Sequence, residues 1–282
     1  MIDDSLLAQA SRLLRRFNLK ARKSLGQHFL VDNEALNLII SAAELTPDDT
    51  VVEVGPGLGV LTGKLAERAG SVIAVELDDN LAELLKQTIT AGNVNIVNRN
   101  ILDIDPASLL PAGGPYKVVA NLPYYITSPV LRHFLEAAVK PQVMIVMLQQ
   151  EVAEAIAAGA GQRSLLSIGI QFYGNPQIIG LIPAASFYPA PKVDSAILKI
   201  DVYIRPPVDV SDEKGFFGLV RAGFTAARKQ VANSLARGLG IPKADALSLL
   251  DKAGIDPKRR AETFSLEEWA RLFKVFQAGE GK

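Results

Sequence analysis

Short segments rich in β-branched residues alternate with helical patterns along the middle of the chain, and this alternation constrains the fold more than any other feature. The segments have the length and apolar character of buried parallel strands. Strands are predicted at 50–54, 71–76, 94–97, 116–120 and 142–148, and helices at 61–69, 80–90, 129–138 and 151–158. Because strands and helices alternate, the pattern predicts an α/β fold with a doubly wound, Rossmann-like sheet.

The pattern changes towards the C-terminal end. Residues 195–203 alternate between apolar and polar and suit a strand at the edge of the sheet. Beyond Arg205-Pro206-Pro207, which breaks the chain, the sequence is helical in pattern. Helices are predicted there at 216–224, 228–239, 243–253 and 266–276, while the earlier segment 164–172 fits strand or helix and is interpreted as a helix. At 282 residues the chain exceeds the usual size of one domain, so we expect a domain over 1–204 and a small helical domain over 205–282.

Two helix starts carry recognisable signals. Ser265 and Glu268 have the spacing of a capping box at the beginning of the last helix. Ser128 is predicted to cap the helix over 129–138, with Pro129 at its first position.

The composition excludes several classes of protein. The chain has no cysteine, which excludes disulfides and thiolate metal sites, and it has only two histidines, His28 and His133, so no metal centre is expected. No apolar run is long enough to span a bilayer, and the basic-then-apolar pattern of a secretory signal is lacking at the start. A cytoplasmic protein that binds no membrane is the expectation.

Charge is balanced overall but clustered locally. Thirty basic and thirty acidic residues give a net charge of zero. The basic residues cluster within the N-terminal segment 1–30 and again in the helical domain: Arg12, Arg15, Arg16, Lys20, Arg22 and Lys23, and then Arg221, Arg228, Lys229, Arg237, Lys258, Arg259 and Arg260. Such clusters suit a surface that binds nucleic-acid phosphates, while solvated helix faces are the simpler alternative.

A glycine-rich turn follows the first predicted strand. Gly55, Gly57 and Gly59 are spaced more closely than the glycines of the dinucleotide-binding pattern. Glu76, at the end of the second predicted strand, can accept hydrogen bonds from the hydroxyls of a ribose. The spacing therefore predicts a nucleoside-type cofactor, for which S-adenosylmethionine fits better than NAD, with NAD as the remaining alternative.

The segment Asn121-Leu122-Pro123-Tyr124 directly follows the predicted strand 116–120. It therefore lies at the carboxyl end of a strand, where ligands bind in open α/β sheets. An amide, a carbonyl directed by the following proline and an aromatic ring are the groups needed to hold a planar base and its amine. Together with the glycine turn, this segment predicts methyl transfer to an adenine.

Four ordered motifs resemble those of the ribosomal RNA adenine N6-dimethyltransferases, and the resemblance covers essentially the full chain. The motifs are residues 23–30 (KSLGQHFL), 53–59 (EVGPGLG), 121–129 (NLPYYITSP) and 187–195 (FYPAPKVDS). The last motif and the helical tail ending in Trp269 resemble the bacterial small-subunit (16S) enzymes more than the 23S methylases of erythromycin resistance.

The resemblance implies a substrate, a cofactor and a partner. The substrate is two adjacent adenines in a hairpin loop near the 3′ end of 16S rRNA, each methylated twice with S-adenosylmethionine in the pre-30S subunit. This role belongs to ribosome biogenesis, and the helical domain is expected to bind RNA. A monomer is expected.

The resemblance also implies cofactor contacts. These are His28, where the family often has asparagine, Leu30, Gly55, Glu76, Asn121 and an acid that aligns on Asn100. Asp103 is the alternative for the last position. We add Gly57 and Gly59 from the glycine turn.

For catalysis, we expect Asn121 Oδ1 and the Leu122 carbonyl to accept the two N–H bonds of the adenine amine. Pro123 restricts Leu122 to an extended conformation. Tyr124 is expected to stack on one face of the base and Phe187 to cover the other. Two other functions remain open: a non-catalytic RNA-binding assembly factor, and a methylase of a single adenine in 23S rRNA or of DNA.

Overall fold

A seven-stranded sheet organises the first part of the chain in the computed structural model, which describes residues 5–110, 114–226 and 228–280. Its strands are β2 (Thr50–Val54), β3 (Ser71–Glu76), β4 (Val94–Asn98), β5 (Lys117–Asn121), β6 (Val143–Gln149), β7 (Gly174–Ile182) and β9 (Ser195–Val202). Their order across the sheet is β4-β3-β2-β5-β6-β9-β7. Strands β2 to β6 run parallel, and β9 runs antiparallel to β6. The predicted α/β, Rossmann-like fold is confirmed.

Helices accompany the sheet, and two further short strands form a separate antiparallel sheet of their own. The pair is β1 (Phe29–Leu30) with β8 (Phe187–Tyr188). The helices are α1 (Leu6–Arg16), α2 (Asn33–Ala43), α3 (Val60–Ala66), α4 (Asp79–Thr88), α5 (Pro106–Leu109), α6 (Thr127–Leu135) and α7 (Gln150–Ala157). On one face, Leu36 and Ile39 of α2 pack with the strand residues Val51 and Ile145. Burying each such side chain contributes about 1.5–3 kcal/mol.

The basic N-terminal helix is held by its apolar face. Ala10 and Leu14 of α1 are buried in a cluster with Leu84 and Leu85 of α4. The basic side chains of α1 lie on its exposed face: Arg12, Arg15 and Arg16. Helix α1 is therefore part of the sheet-containing unit, with these three arginines exposed.

Contacts divide the chain into two units. One spans Met1–Ala153 and Asn175–Val202, and the other spans Glu154–Gly174 and Tyr203–Lys282. The second unit contains α8 (Leu165–Tyr173), α9 (Glu213–Phe224), α10 (Val231–Leu239), α11 (Lys243–Lys252) and α12 (Leu266–Glu280). Its interior is aromatic, with the Phe172 and Phe216 rings stacked at 5.3 Å and Phe264 at 4.9 Å from Trp269. It thus includes a helix, α8, that precedes β7 in sequence.

Several boundaries differ from the sequence expectations. The strand at 195–203 was expected at the edge, but β9 lies between β6 and β7. Strand β7 escapes prediction because Gly174, Pro176 and Gly180 interrupt its pattern, and proline is tolerated mainly on edge strands.

The two capping predictions have opposite outcomes. The capping box is confirmed, because the Glu268 N–H donates to Ser265 Oγ at 3.2 Å and the Ser265 N–H donates to Glu268 Oε2 at 2.9 Å. The Ser128 cap is wrong: α6 begins at Thr127, directly after a 3₁₀ turn. Pro129 then falls in the first turn, where a helix needs no N–H donor.

Candidate active site

A cavity of about 220 Å³ opens at the carboxyl ends of β2, β3 and β5. The N-terminal segment 25–30 forms one of its walls. Eleven of the predicted site residues line it: His28, Leu30, Gly55, Gly57, Glu76, Asn100, Asn121, Leu122, Pro123, Tyr124 and Phe187. Gly59 and Asp103 do not line it. Most of the predicted residues are therefore brought together at one place.

The glycine turn has left-handed glycines and is held by the end of β3. Gly55 and Gly57 have φ values of 69° and 59°, in the left-handed region that favours glycine. The Gly55 N–H donates to the Val75 carbonyl at 2.9 Å, and the Gly57 N–H donates to Glu76 Oε2 at 3.1 Å. The turn and the acid at the end of β3 therefore form one hydrogen-bonded unit.

Gly59 has a structural role at the start of α3. It precedes α3 with a φ of 80°, and a Cβ there would lie 2.8 Å from Leu85 Cδ2 and 3.0 Å from Ile89 Cδ1. Gly59 does not line the cavity, and its lack of a side chain lets α3 approach α4 closely. Its role in cofactor binding stays a prediction.

Glu76 is buried and held on both sides. Its Oε1 accepts from the Asp78 N–H at 2.9 Å while Oε2 accepts from Gly57. Burial raises its pKa, and these backbone N–H groups oppose the shift. Since a carboxylate oxygen has two lone pairs, each oxygen keeps one acceptor position for a ligand hydroxyl.

Asp78 ties the N-terminal segment to this acid. Its Oδ2 accepts from Gln27 Nε2 at 3.0 Å and lies 3.3 Å from Arg22 Nε, while Oδ1 caps α4. Asp78 and Gln27 are not among the site residues predicted from the sequence. Their connection spans 51 residues of sequence, so no local pattern reveals it.

Asn100 lies on the wall of the cavity and Asp103 lies behind it. Asn100 Oδ1 accepts from the Leu102 N–H at 3.2 Å, and its Nδ2 donates to Asp103 Oδ2 at 3.1 Å. Ile101 and Leu102 add apolar surface beside it. Of the two residues proposed for the adenine of the cofactor, Asn100 has access to the cavity and Asp103 orients its amide.

Asn121 ends β5 with its amide oriented. Nδ2 donates to the His28 carbonyl at 3.1 Å, so Oδ1 is the remaining acceptor, and it accepts no hydrogen bond from the described residues. The Leu122 N–H donates to the Met147 carbonyl at 3.0 Å, and Pro123 has φ −56° and ψ 131°. The backbone after Asn121 is therefore fixed to β6.

Tyr124 is held at both its hydroxyl and its ring. The hydroxyl lies 2.8 Å from Ser195 Oγ, and the ring stacks on His28 with centroids 6.0 Å apart. Burial raises the pKa of Tyr124, so the hydroxyl is neutral. His28 Nδ1 lies 2.6 Å from the Pro189 carbonyl, and since a carbonyl only accepts, Nδ1 carries the proton.

Through its backbone carbonyl and its ring, His28 contacts Asn121 and Tyr124, the residues expected to hold the target base. Phe187, which is 4% exposed, is paired through β8 with Leu30 and lines the cavity from there. Tyr125 was not predicted as a site residue, but it also lines the cavity and is 54% exposed.

Comparison with known proteins identifies the family. Residues 18–278 match the family model described as ribosomal RNA adenine dimethylase. The chain belongs to this family.

Named relatives agree with this assignment. The ribosomal RNA small subunit methyltransferase A of Dehalococcoides mccartyi is 52% identical over 96% of this chain and 94% of its own length. That of Moorella thermoacetica is 44% identical over 94% of this chain and 96% of its own length.

Solved structures show the same architecture. The 23S rRNA methyltransferase ErmE superposes with a TM-score of 0.70 at 30% identity and covers 88% of this chain and 99% of its own. A dimethyladenosine transferase from Plasmodium falciparum has a TM-score of 0.77 at 22% identity, over 90% of this chain and 98% of its own.

In this rRNA adenine dimethylase, the cavity wall also contains an acid to which the sequence assigned no role. Glu53, in the buried strand β2, is 1% exposed and lines the cavity. Burial raises its pKa to about 8, the Glu76 charge adds to the shift and the Thr62 hydroxyl opposes it. An acid between Val52 and Val54 in an apolar strand was the sequence signal that could have found it.

The basic clusters are mostly in solvent. Some members also form ion pairs: Arg22 with Asp78, Arg260 with Glu262, and Arg259 with Glu268, where Arg259 also donates to the Thr263 carbonyl. Apart from Arg259, those in the C-terminal unit are exposed: Arg221, Arg228, Lys229, Arg237, Lys258 and Arg260. Within the described ranges, no three acidic or histidine side chains form a possible metal site. No helix in the described part of the chain has the length and apolarity needed to cross a membrane.

Proposed function

We propose that this protein dimethylates the N6 amines of two adjacent adenines in a hairpin loop near the 3′ end of 16S rRNA, using S-adenosylmethionine. The observation that carries the proposal is the Asn121 amide, whose Nδ2 is held by the His28 carbonyl so that Oδ1 is left to accept a hydrogen bond. The choice of small-subunit RNA is supported by the names of relatives up to 53% identical.

The residues of the cavity fit a nucleoside that lacks a pyrophosphate. The three glycine N–H groups of the turn are used internally, by Val75, Glu76 and Pro56. They are therefore not available to cradle phosphates, as a dinucleotide would require. Glu76 would hold the ribose hydroxyls, and Asn100 with Ile101 and Leu102 would hold the cofactor's adenine.

When bound, the cofactor supplies an electrophilic methyl group on a cationic sulfur. The protein's part is to prepare the amine, whose lone pair is delocalised into the ring. Asn121 Oδ1 and the Leu122 carbonyl would accept the two N–H bonds, which concentrates the lone pair on nitrogen and stabilises the positive charge that develops there. The orientation also lowers the entropic part of the barrier.

One face of the Tyr124 ring stacks on His28, so the opposite face would stack on the base. Its hydroxyl bond to Ser195 fixes the plane of the ring. Phe187 would close the pocket from β8. The base must be unstacked to enter, which suits adenines in a loop.

The exposed basic residues of α1 and of the C-terminal unit would contact the RNA backbone, since phosphate contacts position a protein without reading sequence. On this proposal the protein acts as a cytoplasmic monomer on the pre-30S subunit. Its role then belongs to ribosome biogenesis.

The test is transfer of labelled methyl from S-adenosylmethionine to purified immature small subunits, followed by nucleoside analysis of the RNA. We expect N6,N6-dimethyladenosine at two neighbouring loop positions. Label in large-subunit RNA alone would contradict the choice of substrate. Cofactor binding and particle binding without transfer would instead favour a non-catalytic assembly factor.

A further inference from the structure

A buried carboxyl without a partner lies in the wall of the active-site cavity. Glu53 is 1% exposed, lines the cavity, and its Oε2 has no hydrogen-bond partner among the described residues. The neighbouring Thr62 hydroxyl on α3 opposes the rise in the pKa of Glu53, but its Oγ1 makes no hydrogen bond of standard geometry to any described residue. A buried polar atom that lacks a partner usually marks a functional group or a ligand position.

An unpaired carboxylate in this environment costs several kcal/mol, because no cation offsets the lost hydration. In the described part of the chain, no lysine, arginine or histidine forms an ion pair with Glu53. The other ionisable groups that face the cavity are Glu76, His28, Arg99, Tyr124 and Tyr125. Glu76 adds to the cost of a charge on Glu53, and Arg99 does not lower the pKa of Glu53, so without a ligand cation beside it Glu53 holds its proton near neutral pH, in agreement with a pKa raised to about 8.

We propose that Glu53 distinguishes the cationic cofactor from its product by releasing a proton when the sulfonium enters the cavity. The inference rests on the proposed function, since it takes S-adenosylmethionine as the cofactor. Methyl transfer removes the positive charge from sulfur and leaves S-adenosylhomocysteine. The Glu53 carboxylate then loses its counter-charge and takes a proton back from solvent.

The protons balance over the cycle. One proton leaves Glu53 to solvent on cofactor binding and returns after transfer, and the adenine amine releases one proton per methyl group. The net reaction is unchanged by Glu53. Its effect is on the relative affinity for cofactor and product, which a charge in a low-dielectric cavity controls strongly.

Calorimetry between pH 6 and 7, in buffers of different ionisation enthalpy, counts the protons released on binding. S-adenosylmethionine should release up to about one proton more than S-adenosylhomocysteine, and their affinity ratio should rise by at most about tenfold per pH unit. The sulfonium lowers the pKa of the amino group of S-adenosylmethionine, so the comparison stays below pH 7, where both ligands carry this group protonated.

The matched variants are Glu53→Gln, which keeps the shape but carries no titrating proton, and Glu67→Gln, an exposed acid at the end of α3. In Glu53→Gln the extra proton should disappear and the affinity ratio should become independent of pH, while Glu67→Gln should behave as wild type.

Equal proton release by the two ligands in the wild-type protein would overturn the proposal, and this result does not depend on any variant folding. So would an extra proton that persists in Glu53→Gln. If S-adenosylmethionine does not bind at any pH, the proposed function itself fails, and the inference fails with it.

Discussion

The two halves of the cavity are built by different means. The cofactor half consists of a glycine turn and a carboxylate that hydrogen-bond to each other within a short stretch of sequence, Gly57 to Glu76. The base half consists of side chains held by distant partners: Asn121 to His28 across 93 residues, and Tyr124 to Ser195 across 71.

This difference has a consequence for function. A turn held by the neighbouring strand β3 keeps its shape when more remote residues change, whereas Asn121 and Tyr124 depend on segments at both ends of the sheet-containing unit. We therefore expect substitutions in the base half to affect turnover and those in the cofactor half to affect cofactor affinity.

The largest effect is expected for Asn121→Ala. Removing the amide removes an acceptor aimed at the amine, and loss of one such group typically lowers turnover by about 10²–10³-fold. Cofactor affinity should change by no more than a few-fold. Single-turnover methyl transfer and calorimetry measure the two quantities separately.

The matched control is Asn95→Ala, an exposed asparagine on β4, which should leave both quantities unchanged. Near-normal turnover in Asn121→Ala would remove Asn121 from the mechanism. A large loss of cofactor affinity in that variant would erase the distinction between the two halves.

Glu76→Gln tests the other half. The new amide NH₂ places a donor against one of two backbone N–H donors, Gly57 or Asp78, and the charge that strengthens the ribose contact is lost. Hydrogen bonds to charged groups contribute about 1.5–3 kcal/mol, so cofactor affinity should fall by one to two orders of magnitude.

Turnover of Glu76→Gln at saturating cofactor should stay within a few-fold of wild type. Glu83→Gln, an exposed acid on α4, serves as the control. Unchanged affinity in Glu76→Gln would show that the ribose binds elsewhere.

The sequence predicted the local parts of this architecture and missed the long-range parts. The alternating pattern located β2, β3 and β5 to within a residue or so, because a buried parallel strand is apolar along its whole length. Asn121 and Glu76 were found because they stand at strand ends. These are signals contained in a few consecutive residues.

The missed features depend on tertiary contacts. Strand β7 is interrupted by glycine and proline, and its place at the edge of the sheet explains why they are tolerated. Ser195 appears in sequence as the last residue of a motif, and only the fold brings it to Tyr124. Glu53 stands out in sequence as an acid within an apolar strand, but only the fold shows that it lines the cavity.

Gly59→Ala separates a structural glycine from a ligand-binding one. The left-handed conformation costs a non-glycine residue about 1–2 kcal/mol, and the new Cβ would press on Leu85 at 2.8 Å. The free energy of unfolding should therefore fall by about 2 kcal/mol, with cofactor affinity of the folded protein preserved. Denaturant unfolding and calorimetry measure these.

Gly63→Ala is the control on the same helix, since a Cβ there has no neighbour within 4 Å. It should be neutral or slightly stabilising, because alanine favours helix. If Gly59→Ala weakens cofactor binding without loss of stability, Gly59 belongs to the cofactor half after all.

The smallest effect is expected for Ser195→Ala, in the base half. It removes the 2.8 Å partner of the Tyr124 hydroxyl. One neutral hydrogen bond contributes about 1 kcal/mol, or roughly fivefold, and the loss should raise KM for the RNA while cofactor affinity stays constant. Tyr124→Phe removes the same bond from the other side and should give a similar change.

The double variant decides whether the bond itself is the cause. If Ser195 acts by holding the Tyr124 ring, Ser195→Ala combined with Tyr124→Phe should cost no more than either change alone, because the second substitution removes a bond that is already lost. Additive losses would mean that the two hydroxyls act independently, and the base half would then be less dependent on distant partners than its hydrogen bonds indicate.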